Sequence, residues 1–585
     1  MSAVSRVARV VVDVTGVDKP FDYVIPDPLA DSAAVGARVR VPLHGREVPG
    51  WVVRVLEPDE SDVGADKLLK IVKVTSIGPS AEVVSLAEWA AERWASRLRP
   101  FLVSASPAVR VPRLVASRRS RTHGAAQSRF ASLWHDGGGL VTCAPGWSPV
   151  SLVESAASRG PALVVVPTVW RAGRIAAALR RSGLSTAVYP DDWVAGASGV
   201  DVVVGARSAV WATVPGLAAI VVVDEHDDAL QEERAPTWHA RDVAIERARR
   251  LGVPCILVSP VATITAREWA GDRVVHVDDG VRWPRVQVVD RNAEENWASS
   301  LVTSPLIELL RDHSKRVVCV LNVKGRARAV VCGACRTVAR CEACAAAVNQ
   351  PDETSLACPR CRAQRPVVCL SCGSQKIRAV RIGVSRLRDE LEAAAGRFVQ
   401  EVKPSTPSLD PRASVFVGTE AVLHRIDRAD AVVFLDIDSE LLAPRFRSSE
   451  QALDLIAHGA RLVAAAAGSG SSAGATGGVL VLQTTVPNHE VVAGVASGDL
   501  SAHVAAETQR RRRLRLPPFG ALAELSGAGT AAMVEHLVSS LLVEVAVADD
   551  RALVRAASWE ALSEALAAAP RGKGRVRIAV DPARA

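Results

Sequence analysis

Short apolar runs, each followed by a segment with helical spacing, recur along two long stretches of the chain. The first stretch begins near residue 139 and the second begins after residue 315. This alternation is typical of parallel strands that helices bury on both faces, so it predicts two α/β lobes. The predicted strands lie in GLVTCAPG, ALVVVPT, TAVYP, VDVVVGARSA, AAIVVVDEHDD and PCILVSP, and then in RVVCVLNVKG, SVFVGTE, DAVVFLDID and GGVLVLQTT.

The two ends of the chain follow other patterns. Residues 5–55 alternate apolar and polar positions between turn residues, which predicts a small all-β module, and helical spacing over 81–99 predicts a helix that closes it. Residues 109–130 are basic and aperiodic and are interpreted as a linker. An arginine-rich helix containing RRRRLR precedes a last α+β segment. The arginines of this helix could bind nucleic acid or form a solvated face.

Eight of the eleven cysteines fall within residues 332–373, where they form four C-x2-C pairs. A two-residue gap lets two thiolates turn onto one ion, and eight thiolates make two closed four-cysteine zinc shells. Such closed shells predict a structural metal with no open position for catalysis. Spacing alone leaves open whether neighbouring pairs share an ion or the outer pairs close around the inner ones. The pairs are Cys332/Cys335, Cys341/Cys344, Cys358/Cys361 and Cys369/Cys372.

Composition narrows the class of protein. The 585 residues are 49% hydrophobic, which is enough for several domain cores, and the net charge of +8 fits a polyanionic partner without requiring one. The sequence after Met1 lacks the apolar core of a signal peptide, and no uncharged apolar run reaches eighteen residues. We therefore expect a cytoplasmic protein without a membrane partner.

The first lobe carries a phosphate-loop position that has lost its chemistry. A working loop needs glycines, a lysine for the phosphate charge and a hydroxyl for magnesium. Here Gly146 is the one glycine left, Trp147 stands where the lysine is required, and Ser148 supplies the hydroxyl. We expect no ordinary ATP hydrolysis from this loop.

An acidic pair follows a later strand of the same lobe. Asp224 and Glu225 come directly after IVVV, where an aspartate can hold magnesium and a glutamate can orient water. Without the lysine, however, the two carboxylates are interpreted as a vestigial site or as an exposed strand-end pair.

Segments along nearly the whole chain resemble segments of the bacterial primosomal replication-restart family PriA and occur in the same order. Members of that family are superfamily-2 DNA helicases. The chain is identified as a degenerate member of the kind found in high-GC Gram-positive bacteria. The matching segments are KPFDY (19–23), GARVRVPL (36–43), VVVGARSAVW (202–211), DEHDDALQEERAPTWHARDVAIERA (224–248), RVVCVLNVKGRARAVVCGAC (316–335), GTEAVLHRIDRADAVVFLDIDSELLAPRFRSSE (418–450), LPPFG (516–520) and VDP (580–582).

The resemblance implies an α/β fold with two RecA-like helicase lobes. It adds an N-terminal all-β DNA-binding domain, a two-zinc cysteine-rich insert in the second lobe and a small C-terminal α+β domain. The expected domains are the 3′ DNA-end-binding domain (1–107), a basic linker without the family's winged helix (108–137), lobe 1 (138–295), the start of lobe 2 (296–331), the zinc insert (332–373), the rest of lobe 2 (374–487) and the C-terminal domain (488–585).

By resemblance, the N-terminal domain captures the 3′ end of a nascent strand. Phe21, Asp22 and Tyr23 would line the pocket, with Gly45 and Lys70 as weaker matches. An aromatic ring can stack on the terminal base while a carboxylate accepts a hydrogen bond from the 3′ hydroxyl. The alternative is that Phe21 and Tyr23 belong to the strand core.

In the family the zinc insert folds back on itself, and this implies how the cysteines are shared. The outer pairs would hold zinc 1 and the inner pairs zinc 2. The resemblance thus assigns Cys332, Cys335, Cys369 and Cys372 to the first ion, and Cys341, Cys344, Cys358 and Cys361 to the second.

The ATPase motifs depart from the family pattern. GSGKT has become APGWS, GSATPS has become VSPVATI, and QxxGRAGR has no counterpart around LIAHGARLVAAAAGSG. The arginine that would stabilise charge on the γ-phosphate is therefore missing. Three separate ATPase motifs have thus lost their characteristic residues, which favours loss of the motor activity and of ATP/Mg²⁺ as cofactors.

The sequence thus predicts a replication-restart protein that recognises stalled forks, D-loops and single-strand/duplex junctions and helps load the replicative helicase. Expected partners are DNA, that helicase, other primosome proteins and the single-stranded DNA-binding protein, at the nucleoid. One alternative is an active ATP-dependent 3′–5′ helicase in which another lysine, such as Lys324, substitutes for the missing one. Another is a protein scaffold without affinity for DNA.

Overall fold

The computed structural model forms two compact units. Unit 1 comprises residues 1–142, 148–276 and 511–583, and unit 2 comprises residues 143–147, 277–510 and 584–585. The structure describes residues 6–17, 19–64, 67–119, 128–280, 282–294, 301–321, 329–335, 337, 339–343, 348–358, 362–380, 384–467, 478–548, 551–570 and 574–584.

The N-terminal domain is built on an antiparallel sheet. Its strands are β1 (Val7–Val12), β2 (Phe21–Val24), β3 (Arg38–Leu43), β4 (Arg46–Leu56) and β5 (Lys73–Ser76). They pair in the order β2-β1-β4-β3-β5. Alternating residues such as Val10, Val39 and Val52 are fully buried, as the period of two in the sequence predicts. The predicted all-β module is confirmed.

Two helices, not one, follow this sheet. They are α1 (Ala81–Arg93) and α2 (Arg99–Ala105), whereas the sequence predicts a single helix over 81–99. The Ser80 hydroxyl caps α1 by accepting a hydrogen bond from the Val83 N–H. Ala95 then takes a φ of +45°, in the left-handed region that ends a right-handed helix. The apolar spacing of the sequence continues past this point, but α1 does not.

Lobe 1 alternates strands and helices. Its elements are α3 (Ala131–His135), β6 (Gly138–Thr142), α4 (Val150–Ala157), β7 (Ala162–Val165), α5 (Val169–Arg181), β8 (Thr186–Tyr189), α6 (Trp193–Ser198), β9 (Val202–Gly205), β10 (Ala219–Val223), α7 (Ala240–Leu251), β11 (Cys255–Ser259), α8 (Ile264–Ala270) and β12 (Val274–His276). The parallel sheet has the order β12-β6-β11-β10-β7-β9-β8. All six predicted strands are present. The edge strand β12 was not predicted because it has three residues and no buried run.

Lobe 2 and its insert repeat the alternation. Their elements are β13 (Arg285–Asp290), α9 (Ser304–Arg311), β14 (Val317–Val320), β15 (Ala329–Cys332), β16 (Ser355–Ala357), β17 (Gln364–Pro366), β18 (Ile377–Val380), α10 (Val384–Ala395), β19 (Val399–Val402), β20 (Val415–Gly418), α11 (Ala421–Arg425), β21 (Ala431–Phe434), α12 (Asp438–Leu441), α13 (Ser448–Ala467), β22 (Val479–Thr484), α14 (Glu490–Ser497) and α15 (Ser501–Leu514). The low-complexity residues 468–477 lie outside the described residues.

The lobe 2 sheet is also parallel, in the order β13-β22-β21-β14-β20-β19. Its four predicted strands are confirmed. The two edge strands, β13 and β19, were not predicted because polar residues interrupt their apolar positions. β13 lies within the range 138–295 expected for lobe 1, yet it pairs with β22 of the second sheet.

The C-terminal domain is a four-stranded antiparallel sheet with two helices, whereas α14 and most of α15, which lie within the expected range 488–585, belong to unit 2. Its elements are β23 (Ala521–Ser526), α16 (Thr530–Val538), β24 (Val543–Ala548), β25 (Arg551–Ala556), α17 (Trp559–Ala568) and β26 (Arg577–Val580). The strands pair in the order β24-β25-β23-β26. The predicted α+β segment is confirmed. The two parallel sheets, each flanked by helices, confirm the α/β class and the two RecA-like lobes.

Unit 1 has one continuous hydrophobic core that the N-terminal helices, lobe 1 and the C-terminal domain share. Polar bonds reinforce it: the Gln231 side-chain amide donates to the Asp581 carbonyl at 2.6 Å. The fully buried guanidinium of Arg247 in α7 donates to both oxygens of Glu82 in α1, at 2.9 and 2.8 Å. The Glu82 side chain is 29% exposed, so this is a partly buried ion pair, and it joins α1 to lobe 1.

Candidate nucleic-acid and metal sites

The outer cysteine pairs come together in the insert. β15 pairs antiparallel with β18, with Cys332 opposite Ile377, and this hairpin brings the first C-x2-C turn beside the last one. The sulfur atoms of Cys332 and Cys372 are 3.6 Å apart, and those of Cys335 and Cys369 are 3.4 Å apart. All four sulfurs lie within 4.8 Å of one another.

This geometry fits a tetrahedral ion. Zinc–sulfur bonds of about 2.3 Å in a tetrahedron place neighbouring sulfurs about 3.8 Å apart, close to the observed spacing. The Ala334 N–H points at the Cys332 sulfur at 3.4 Å, as backbone amides do in cysteine knuckles that stabilise thiolates. Four cysteines leave no open position. The site could hold a metal ion, and its ligands are consistent with structural zinc.

The structure describes one cysteine of each inner pair. Cys341 and Cys358 lie buried in one small hydrophobic cluster of the insert with Leu356. Their partners Cys344 and Cys361 lie outside the described residues. A second ion therefore stays a prediction.

Asp22, the predicted acceptor for a 3′ hydroxyl, already has partners. On β2 it faces Arg9 of β1, whose Nε and NH2 groups donate to the two carboxylate oxygens at 2.9 and 3.0 Å. The Ser61 hydroxyl adds a third bond at 2.8 Å. The hydrogen bond from Arg9 is the main reason that the pKa of Asp22 lies below its usual value. Because a carboxylate has about four acceptor positions, at most one remains for a ligand, and the Asp22 side chain is 5% exposed.

The other predicted pocket residues have different surroundings. Tyr23 is 3% exposed and its hydroxyl donates to the Pro42 carbonyl at 3.0 Å, which makes its ring part of the strand core. Phe21 is half-buried, with the Lys19 ammonium 5.5 Å from its ring centroid. Lys70 is exposed and pairs with Val24 at the end of β2. The structure thus places Phe21 and Asp22 on β2 and Lys70 beside the end of that strand.

Gly45 lies at the turn between β3 and β4. His44 and Gly45 have φ values of +49° and +77°, as two-residue type I′ hairpins require, and glycine takes this conformation without strain. A turn requirement is therefore enough to explain this residue, whether or not it also contacts DNA.

The phosphate-loop position is occupied by an indole. Trp147 is 6% exposed, and its ring N–H donates to the Asp279 carboxylate at 2.8 Å. The Arg461 Nε donates to the Pro145 carbonyl at 3.1 Å and ties the loop to α13. Gly146 and Ser148 are exposed. Lys324, the alternative phosphate ligand, lies outside the described residues.

The acidic pair is buried, so the interpretation as an exposed strand-end pair is wrong. Asp224 and Glu225 are 2% and 0% exposed. Arg171 of α5 lies 3.0 Å from an Asp224 oxygen, where a magnesium ligand would need a free carboxylate. Glu225 accepts hydrogen bonds from Arg241 and from the N–H and hydroxyl of Thr263, at 3.1, 2.8 and 2.9 Å. Arginine partners therefore permit the burial of both carboxylates.

The arginine partners of this site were not found from the sequence. Arg171 and Arg241 come from α5 and α7, which the sheet order places around β10 although they are distant along the chain. An arginine in the first turn of a helix that follows a buried strand is the only signal available, and it is a weak one. The same turn of α5 carries Trp170, which is 52% exposed with the Arg174 guanidinium 4.8 Å from its ring.

The basic segments differ in how much charge they offer. In the RRRRLR cluster, Arg511 is fully buried and donates to the Pro517 carbonyl, and Arg510 pairs with Glu507 and Glu490. Arg512 and Arg513 are exposed. The linker residues 112–119 are exposed as well. Two of the five arginines therefore serve the fold, and the exposed ones, of which Arg512 also pairs with Glu268 at 3.2 Å, are accessible to a polyanion.

None of the helices within the described ranges is long and apolar enough to cross a bilayer.

Comparison with known proteins adds independent findings. Residues 9–107 match the PriA family model described as the 3′ DNA-binding domain (3′BD). The chain is 29% identical over 598 residues to the probable replication restart protein PriA of Mycobacterium leprae, covering 92% of this chain and 89% of that protein. It is 28% identical over 375 residues to the replication restart protein PriA of Bacillus subtilis, covering 59% of this chain and 46% of that protein. The solved structure of the E. coli DExH-box NTPase HrpB covers 62% of this chain and 42% of that chain, with 11% identity and a TM-score of 0.31.

Proposed function

We propose, from its similarity to the PriA replication restart proteins, that this chain binds branched DNA at stalled forks and D-loops and supports replication restart. The observation that carries the proposal is the match of residues 9–107 to a 3′ DNA-binding domain, joined by relatives that bear the restart name over nearly the full chain. DNA is its principal partner.

The DNA end would be held at the edge of β2. Phe21 offers a half-buried ring for stacking, Lys70 an exposed charge, and Asp22 one remaining acceptor position for the 3′ hydroxyl. Tyr23 would support this site indirectly, because its buried ring belongs to the hydrophobic core under β2. Affinity would come mainly from lysine and arginine contacts to phosphate and would therefore fall steeply with salt.

We further propose that the chain works without hydrolysing ATP. A buried Trp147 takes the place of the loop lysine, and Arg171 pairs with the carboxylate that would hold magnesium. Both features support a frame that retains the helicase fold and holds DNA without a motor. Loading of the replicative helicase would then depend on contacts with that helicase, with other primosome proteins and with the single-stranded DNA-binding protein.

The metal content belongs to the same proposal. One zinc ion would lie among the outer cysteines and a second among the inner ones, both as structural ions. A protein whose ligand is the chromosome would work in the cytoplasm at the nucleoid.

The experiment compares two acidic residues beside Arg9. Asp22→Ala removes the predicted contact to the 3′ hydroxyl, and Asp62→Ala removes an exposed carboxylate 3.7 Å from the same arginine. We expect Asp22→Ala to weaken binding to a fork with a free 3′ end by about tenfold or more, as loss of a hydrogen bond to a charged group implies. Binding to plain duplex should change little, and Asp62→Ala should behave as wild type on both.

Two results would contradict the proposal. Equal loss on fork and duplex would remove the 3′-end pocket, since Asp22 would then act only through the fold. Absence of fork binding by the wild-type chain would instead favour a scaffold without affinity for DNA.

A further inference from the structure

A cavity of about 360 Å³ lies in unit 2 between the zinc insert and the carboxyl edge of the lobe 2 sheet. The sheet contributes Asn292 and Thr485, which follow the ends of β13 and β22. The insert contributes polar residues that flank its metal-binding turns: Thr337, Arg340, Arg365 and Ser371. Its size falls within the range of about 300–1,000 Å³ that is usual for ligand sites.

The charged side chains that line this cavity are basic. Among the described residues, two arginines and no carboxylate line it, and Cys369, one of the four predicted metal ligands, also lies in its wall. The nearby Asp438 stands behind Thr485 and already accepts hydrogen bonds from the Thr485 N–H, at 2.8 Å, and from the hydroxyls of Thr484 and Thr485. The Asp438 carboxylate therefore orients the threonines at the sheet edge and does not itself line the cavity.

The two guanidiniums have donors to spare. Arg340 NH2 donates to the Thr485 hydroxyl at 3.1 Å, and this is its one side-chain hydrogen bond within the described residues. Arg365 donates to the carbonyls of Val368 and Arg340, yet its Nε is buried with no hydrogen-bond partner in the part of the chain that the structure describes. A buried donor without a partner is unfavourable, so the charge of Arg365 is incompletely compensated within the described residues and favours an anion nearby.

We propose that this cavity, the phosphate pocket formed by Asn292, Thr337, Arg340, Arg365, Ser371 and Thr485, binds a phosphate group of a DNA strand. The planar arginine fork matches the oxygens of a phosphate, and a hydroxyl such as that of Ser371 is a usual additional donor to DNA backbone. Asn292 and Thr485 shape the wall without donating to the ligand, because the Asn292 amide donates to Asp290 and to the Thr485 carbonyl and the Thr485 hydroxyl donates to Asp438. Leu370, 57% exposed beside the pocket, offers an apolar surface to the adjoining sugar.

The inference that the phosphate comes from DNA rests on the proposed function, whereas the pocket itself rests on its own geometry. A free nucleotide or inorganic pyrophosphate presents the same chemistry. The zinc insert would then have a direct part in DNA binding, since its metal holds the turns on which Thr337 and Ser371 lie.

The test uses the full chain with its zinc and a matched pair of variants. Arg340→Gln removes a charge from the pocket, and Arg412→Gln removes one from an exposed site of the same unit, where Arg412 is 86% exposed and pairs with Asp410. Affinity for a fluorescent fork is measured by anisotropy over a series of salt concentrations, and zinc content is measured for each protein. Inorganic pyrophosphate is titrated separately by calorimetry.

We expect Arg340→Gln to weaken fork binding about tenfold and to lower the slope of log K against log salt by about one, with unchanged zinc content. Arg412→Gln should match wild type. If wild type binds forks and Arg340→Gln binds them equally with the same slope, the pocket is not a DNA site and the proposed function stands. If wild type binds no fork, the proposed function fails. Pyrophosphate binding that Arg340→Gln abolishes would then support a phosphate pocket for free nucleotides. Absence of pyrophosphate binding as well would overturn the phosphate pocket.

Discussion

Replacement of Trp147 tests whether the phosphate loop has become a structural plug. The indole is 6% exposed and donates to Asp279 at 2.8 Å, while Arg461 holds the neighbouring carbonyl of Pro145. If the loop now serves packing, substitutions should cost stability and should not create a nucleotide site.

The magnitude follows from what each substitution removes. Trp147→Ala deletes an almost completely buried aromatic side chain and should lower the free energy of unfolding by about 3–5 kcal/mol. Trp147→Phe keeps most of the buried ring but loses the hydrogen bond to the Asp279 carboxylate, a loss of about 0.5–1.5 kcal/mol because Asp279 is exposed and water can replace the lost donor. These are large fractions of a total stability of about 5–15 kcal/mol. Trp147→Lys should cost about as much as the alanine variant, because its ammonium leaves the ring volume empty.

The assay combines urea unfolding, followed by far-UV circular dichroism, with calorimetric titration of ATP in the presence of magnesium. Stability should rank wild type above Trp147→Phe and Trp147→Phe above Trp147→Ala. No variant should hydrolyse ATP with forked DNA present. An alanine variant as stable as wild type would refute the packing role, and ATP hydrolysis by wild type or by Trp147→Lys would refute the loss of the motor.

Two further predictions concern the metal and the ionised residues of lobe 1. Cys369→Ser should remove one zinc ion and leave the other, measured by elemental analysis of the purified chain, and loss of both or of neither would contradict separate outer and inner sites. Burial opposes ionisation of Asp242, but the charges of Arg241, His239 and Arg93 outweigh it and lower its pKa to about 2. Wild type should therefore exceed Asp242→Asn by about 2 kcal/mol in unfolding free energy above about pH 4, with the difference shrinking as pH falls towards 2 and the carboxyl is protonated; a difference independent of pH would contradict this.

The buried parallel strands could be predicted because each is a continuous apolar run whose burial on both faces the sequence records directly. The strands β12, β13 and β19 could not, since β12 has only three residues and polar residues interrupt the apolar runs of β13 and β19. The break between α1 and α2 was missed for a different reason: Ala95 adopts a left-handed backbone that alanine rarely takes, and no residue type signals it.

The candidate sites divide in the same way. Four C-x2-C pairs predict metal shells by local spacing, but only the β15–β18 hairpin shows that the outer pairs meet. The burial of Asp224 and Glu225 depends on arginines from other helices, and the partners of Asp22 depend on the register of β1 with β2. Long-range pairing of this kind is set by tertiary packing, which single-sequence patterns do not contain.

The shared core of unit 1 has a consequence for biosynthesis. The surfaces of α1 and lobe 1 that the C-terminal domain covers are translated early, whereas their cover, which extends to Asp581, is translated much later. At about 5–20 residues per second, the interval between residue 107 and residue 583 is roughly 25–95 s. During that time the nascent chain carries uncovered apolar surface, so a truncated transcript or a stalled ribosome would yield a product that aggregates or requires a chaperone.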